Sequence, residues 1–105
     1  MERDELKGHL DSLILATLAN GPSYGYAIIE HMKARSGGHI SMPGGSIYPA
    51  LHRLEREGLV ASDWSTGTTH PRRVYRLTER GTAELGNRRA RWRRFVSTIE
   101  SVLST

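Results

Sequence analysis

Three short stretches concentrate the side chains that could do chemistry. The first is GGSIYPALHRLEREG, from Gly44 to Gly58, where Ser46, Tyr48, Pro49, His52, Arg53 and Arg56 lie off the apolar stripe of Ile47, Leu51 and Leu54. The second is TTHPRR, in which Thr68, Thr69, His70, Arg72 and Arg73 supply hydroxyls, an imidazole and two guanidiniums. The third is RRARWRRF, from Arg88 to Phe95, with five arginines around Trp92. These groups donate hydrogen bonds and carry positive charge. They suit contact with phosphates and base edges rather than bond breaking.

Catalytic constellations are missing. His9, His31, His39, His52 and His70 are scattered, without the spacing of a metal site. The glycine pairs in SGGH and PGGS lack the lysine and spacing of a phosphate-cradling loop, and no nucleophile elbow occurs. The absence of cysteine removes disulfides, thiolate catalysis and thiolate metal ligation, and fits a reducing compartment. No catalytic residue, metal or cofactor is expected, and the chain does not read as an enzyme.

Charge is unevenly distributed. Residues 1–70 hold six Lys/Arg against eight Asp/Glu, and residues 71–105 hold nine Arg against three Glu, within a net charge of +4. The basic final third points to an anionic partner such as nucleic acid, although a solvated helix face would look alike. The start, MERDELKGHL, is charged, and the apolar run LILATLA is too short to cross a bilayer. A cytoplasmic protein with no membrane partner is expected. With 37% hydrophobic residues in 105, a second subunit is expected to supply part of the stability.

The elements that must position these groups follow from periodicity. A first helix reads from about Asp4 to Ala19, with Leu6, Leu10, Leu13, Ile14 and Leu18 on one stripe. NGPS ends it, and Ser23 is read as the N-cap of a second helix, from about Tyr24 to Arg35, that buries Ala27, Ile28 and Met32. SGGHISMPGG is a loop by composition. A third helix is expected from Ile47 to Glu57, with Ser46 as N-cap, Pro49 in the first turn and Gly58 as a left-handed C′ residue. Two short alternating segments, Leu59 to Ser65 and Arg72 to Thr78, form a β-hairpin around the turn 66–71. Thr78 then caps a long helix through about Leu103.

The fold expected is mainly α with a small β-hairpin: a winged helix-turn-helix over residues 1–77, then a C-terminal dimerisation helix over 78–105. In this arrangement the third helix enters a DNA major groove, and the wing reaches a flanking groove or phosphates. A family likeness covers nearly the whole chain and rests on the segments YGYAIIEHM, GSIYPALHRLEREGLV and RRVYRLTERG. The sequence resembles the PadR family of bacterial transcriptional regulators, specifically its short branch. The resemblance implies a homodimeric repressor whose C-terminal helix packs on its partner. It also implies release from double-stranded DNA when a small molecule binds.

Ser23, Tyr24 and Gly25 at the second helix start, Ser46, Tyr48, Pro49, His52 and Arg53 on the third helix, and Thr68, Thr69, His70, Arg72 and Arg73 in the wing are the candidate DNA contacts. Each has a plainer alternative: a cap, a packed tyrosine, a solvated hairpin tip. Within a strand Arg72 and Arg73 must point to opposite faces, so at most one meets a groove directly unless the strand begins later. Leu85, Trp92, Phe95, Val96, Ile99 and Leu103 form an apolar seam, with Leu6 and Leu10 assisting, that is expected to join two subunits. Two-fold symmetry then demands an inverted-repeat operator. The resemblance further implies that Trp92 stacks on a planar aromatic effector, with Leu85, Arg88, Arg89 and Val96 around it. The rival reading is a dimeric helical protein-interaction module without specific DNA binding.

Overall fold

The expected long first helix is broken. In a computed structural model, which describes residues 3–6, 8–67 and 69–105, a short turn α1 (Arg3–Leu6) precedes α2 (Leu10–Leu18), and Gly8 sits between them at φ 88°. That positive φ is one glycine tolerates, and no helix continues through it. Within α2, Leu15 is fully buried and Leu13 only half-buried, so the buried stripe is centred on Ile14, Leu15 and Leu18.

The second correction concerns Ser23. It is not an N-cap but lies in a two-residue strand, β1 (Ser23–Tyr24), followed directly by α3 (Gly25–Arg35). The N-cap of α3 is Tyr24, in extended conformation and without a side-chain cap bond. The third correction is the start of the next helix. α4 (Gly44–Arg56) begins three residues earlier than expected, with Pro43 rather than Ser46 as N-cap, so Pro49 stands inside the helix. Proline removes the amide that would bind the Gly45 carbonyl. Gly45 and Pro49 both lie on the exposed side, where water can satisfy that carbonyl.

The C-terminus of α4 ends as its glycine demands. Gly58 has φ 79°, its amide donates to the Glu55 carbonyl at 3.0 Å, and the Leu59 amide donates to the Leu54 carbonyl at 3.0 Å. These two bonds make a Schellman motif, with buried Leu54 and Leu59 as its apolar pair. The wing follows as β2 (Val60–Trp64) and β3 (Arg73–Leu77). Because β1 pairs with the free edge of β3, the expected hairpin becomes a three-stranded antiparallel sheet in the order β1-β3-β2. Ser23 opposes Tyr75, Ser62 opposes Tyr75 from the other side, and Trp64 opposes Arg73. Residues directly opposed share a sheet face. Val60, Ser62, Trp64, Arg73, Tyr75 and Leu77 therefore share one face, and its Val60 and Tyr75 are buried in the core with Ile28, Ile47, Leu51 and Leu54.

The long helix α5 (Glu79–Leu103) starts as its sequence indicates. The Thr78 hydroxyl accepts from the Gly81 amide at 3.0 Å and donates to the Gly58 carbonyl at 2.6 Å, tying the cap to the end of α4. The helix runs unbroken through Gly86. Gly81 and Leu85 are buried in the core, whereas residues 91–105 are all exposed. At about 1.5 Å per residue α5 spans roughly 37 Å, and its outer part accounts for the elongated shape, 58 Å along the longest axis.

Candidate nucleic-acid interface

The inner side of α4 is fully committed: Ile47, Ala50, Leu51 and Leu54 are buried. Its outer side carries Gly45, Tyr48, Pro49, His52, Arg53 and Arg56, all exposed. The proline-led first turn contains no acidic residue that would repel an anion, and its Ser46 and Ile47 amides both donate to the Pro43 carbonyl. Arg53 and Arg56 in the last turn complement the helix dipole. Arg53 leans to one flank and is ion-paired with Asp11 of α2. Ser46 lies on the same flank and is half-buried.

On the opposite flank Tyr48 leans across the start of α3. A Cβ on Gly25 would stand 2.5 Å from the Tyr48 ring, and one on Gly44 would stand 3.3 Å from it. The ring thus occupies the space a side chain at position 25 would need, which explains the glycine. Gly25 is buried beneath that ring, so it offers no side of its own to a ligand, whereas Tyr48 itself remains 41% exposed. Sequence reading grouped Ser23, Tyr24 and Gly25 as one element start, but the fold separates them. Ser23 is a half-buried strand residue on the sheet's inner face, and Tyr24 is on the outer face.

The two adjacent arginines of the wing diverge. β3 begins at Arg73, and Arg72, just outside it, stacks its guanidinium 4.3 Å above the Tyr24 ring. Arg73 turns toward α4 instead. Its Nε donates to Ser62 Oγ at 2.9 Å, Ser62 Oγ donates to Glu55 Oε2 at 2.6 Å, and an Arg73 terminal nitrogen lies 3.9 Å from the same carboxylate oxygen. Its guanidinium also sits 5.4 Å from the ring of Trp64, a residue 60% exposed. Below this network Tyr75 is buried, and burial together with the nearby Glu55 carboxylate raises its phenol above the ordinary range. Thr69 and His70 are exposed at the wing tip; Thr68 lies outside the described residues. The tip is closed by the Ser65 amide donating to the Arg72 carbonyl at 2.8 Å, and by the Arg72 amide donating to Ser65 Oγ at 2.9 Å.

The expected seam on α5 divides in two. Leu85 is only 3% exposed and belongs to the chain's own core, so it is neither a free interface residue nor the wall of an open pocket. Leu6 is likewise buried, and Leu10 packs half-buried against the core. Trp92, Phe95, Val96, Ile99 and Leu103 are exposed and continue along one side of the projecting helix. Trp92 is not isolated: it forms a T-shaped pair with His9 at a centroid distance of 5.2 Å and meets Phe95 at 5.8 Å. Arg88 is engaged within the chain, donating to Glu84 at 2.7 Å and to Ser12 Oγ of α2 at 3.3 Å, while Arg89 is exposed. The hydrogen bond from Arg88, aided by the charges of Arg88 and Arg91, holds the Glu84 carboxyl below its ordinary range.

Sequence reasoning missed Glu55, Ser62, Trp64 and Asp11 as parts of this surface. Glu55 and Arg53 sit on opposite flanks of one helix, and their partners lie in other elements. Spacing along one element carries no signal for such pairs. Among the described residues no cluster of His, Asp or Glu could hold a metal ion, and no helix is long and apolar enough to cross a membrane.

The family model described as the transcriptional regulator PadR-like family matches residues 14–87. An uncharacterised protein of Lysinibacillus sphaericus is 30% identical over 92 residues, which cover 85% of this chain and 83% of that protein. A PadR family transcriptional regulator from Eggerthella lenta superposes with a TM-score of 0.84 at 34% identity, covering 97% of this chain and 88% of its own. A transcriptional regulator from Clostridium thermocellum superposes with a TM-score of 0.87 at 28% identity, covering 93% and 96%.

Proposed function

The chain belongs to the PadR-like family of transcriptional regulators, and from that premise we propose that it is a homodimeric, sequence-specific DNA-binding repressor released from its operator by a small molecule. Members of this family regulate transcription and are not enzymes, so the activity to explain is binding. The observation that carries the DNA reading is the outer side of α4. Its Gly45, Tyr48, Pro49, His52 and Arg56 are uncovered by the rest of the chain and flanked by the wing.

In this reading α4 lies in a major groove. His52 and Arg56, one turn apart, face base edges and phosphate, and Tyr48 and Pro49 contact the groove wall. Arg72, supported by Tyr24, and the tip residues Thr69 and His70 meet the flanking backbone. The exposed apolar side of α5 supports a second copy as partner, with Trp92, Phe95, Val96, Ile99 and Leu103 between the subunits. Two such copies place their α4 helices about one helical turn apart, roughly 34 Å, on an inverted repeat. Work of this kind is done where the chromosome is, so a cytoplasmic protein is part of the same proposal.

Release follows if a planar molecule stacks between the two Trp92 side chains and favours one separation of the α5 helices. A coupling of about 1–3 kcal/mol is typical for such linkage. Footprinting on the protein's own promoter region tests the reading directly. A protected inverted repeat, bound with an affinity that falls steeply with salt, is expected. A chain that protects no site and binds DNA without preference is instead an interaction module built on the same dimer.

A further inference from the structure

We propose that Arg73 is a positioning residue: with Ser62 and Glu55 it clamps the wing to the recognition helix and fixes the angle at which both meet DNA. The inference rests on the DNA reading above and deepens it. Strand alternation lets at most one of the two adjacent arginines beside the wing tip meet a groove directly. Their surroundings differ. Arg72 stacks on the outer face of the sheet over Tyr24. The Arg73 guanidinium is turned inward to a carboxylate and a hydroxyl, with Trp64 beside it.

The geometry explains why three residues are needed. Glu55 belongs to α4, Ser62 to β2 and Arg73 to β3, so the chain of donors runs from β3 through β2 to the recognition helix. Ser62 Oγ accepts from Arg73 Nε and donates its own hydrogen bond to Glu55 Oε2, which orients the hydroxyl in one sense. The Glu55 and Arg73 side chains are 32% and 41% exposed. The network is thus partly covered, and the Arg73 guanidinium already faces a carboxylate before any phosphate arrives. A carboxylate on a DNA-facing helix opposes phosphate by simple charge. Its presence at position 55 is understandable if its task is to hold Arg73.

That sign conflict makes the proposal testable. Operator and non-specific duplexes are titrated over a range of salt with wild-type dimer and with Glu55→Gln, Ser62→Ala, Arg73→Gln and the double variant Glu55→Gln/Arg73→Gln. Each single change should lower operator affinity roughly three- to ten-fold, the range one net hydrogen bond supplies. The double variant should be no weaker than the weaker single, because both remove the same network. The salt slope of Arg73→Gln should stay at the wild-type value, since no phosphate contact is lost. In a Trp92→Phe background Trp64 is the one remaining tryptophan. Its emission should shift in Glu55→Gln as in Arg73→Gln, with DNA absent.

The opposite result is equally concrete. If Glu55→Gln binds the operator as well as or better than wild type, while Arg73→Gln lowers the salt slope by about one on both duplexes, Arg73 meets a phosphate and the clamp is wrong. Should Arg73→Gln fail to fold, Ser62→Ala decides alone. It changes no charge, so unchanged operator affinity overturns the clamp. Wild-type protein that prefers no DNA over any other overturns the DNA reading itself, and the clamp's role with it.

Discussion

Gly81 is the position where one added methyl group should do most damage. It lies in the first turn of α5, where the helix passes against the chain leaving α4. A Cβ built there stands 1.9 Å from the Leu59 carbonyl oxygen and 3.1 Å from Leu77 Cδ2. An ordinary carbon–oxygen contact is about 3.3 Å, so helix and strand must separate by more than about 1 Å. That movement pulls on two bonds in particular: Thr78 amide to Leu59 carbonyl at 3.2 Å, and Thr78 hydroxyl to Gly58 carbonyl at 2.6 Å. Losing both costs about 1–3 kcal/mol, and forcing the overpacked contact costs a similar amount. The intrinsic gain from alanine in a helix offsets at most about 1 kcal/mol. A net loss of roughly 3 kcal/mol should lower the melting temperature by roughly 12–24 °C in a domain this small. Thermal unfolding followed by circular dichroism at fixed protein concentration measures it. Gly86→Ala is the control, because a Cβ there meets nothing within 4 Å. It should stabilise the same helix by up to about 1 kcal/mol. If Gly81→Ala melts within about 2 °C of wild type, the close approach does not constrain the fold and the reasoning fails.

Gly25→Ala should displace the Tyr48 ring, whose atoms stand 2.5–2.7 Å from the added carbon. The ring is the far end of a flexible side chain, so stability should fall by only about 1 kcal/mol while operator affinity falls further, and Tyr48→Ala should abolish the stability difference between Gly25 and its alanine variant. Replacing Ile99 and Leu103 together with glutamate should give monomers in sedimentation velocity, since both are exposed apolar residues on the projecting part of α5; a wild-type-like dimer would remove that face from the interface. Glu84, held below its ordinary value by Arg88, should contribute stability that is complete above the normal carboxylate pKa of 4.5 and is lost as pH falls through its depressed value. Glu84→Gln should therefore melt below wild type at neutral pH, with the gap closing in acid; a gap constant from pH 7 to about pH 3 would assign the effect to packing.

Much of this molecule was legible in the sequence because its strongest signals are local. The inner face of α4, its left-handed Gly58, the Thr78 cap and the two long wing strands each follow from residue types at fixed short spacing. Local rules also explain two errors. A serine before a helix is usually a cap, but Ser46 lies inside α4 because Pro43 is extended and can serve as N-cap. Ser23 is drawn out of the cap position because β3 has an edge to pair.

The sequence by itself determined the order of the four main helices and the two wing strands, the apolar stripe that holds α4, and the outward-facing residues that remain. Those are periodic properties of a single element, and periodicity is written in the chain. Tertiary structure alone decided which of two neighbouring arginines turns outward, that Leu85 belongs to the core while Trp92 does not, and that Gly25 exists to admit Tyr48. It also decided that Glu55, Ser62 and Arg73 share one network. These relations join residues far apart in the chain, on elements whose mutual orientation is set by packing of the whole core. No spacing along one helix or strand encodes that orientation.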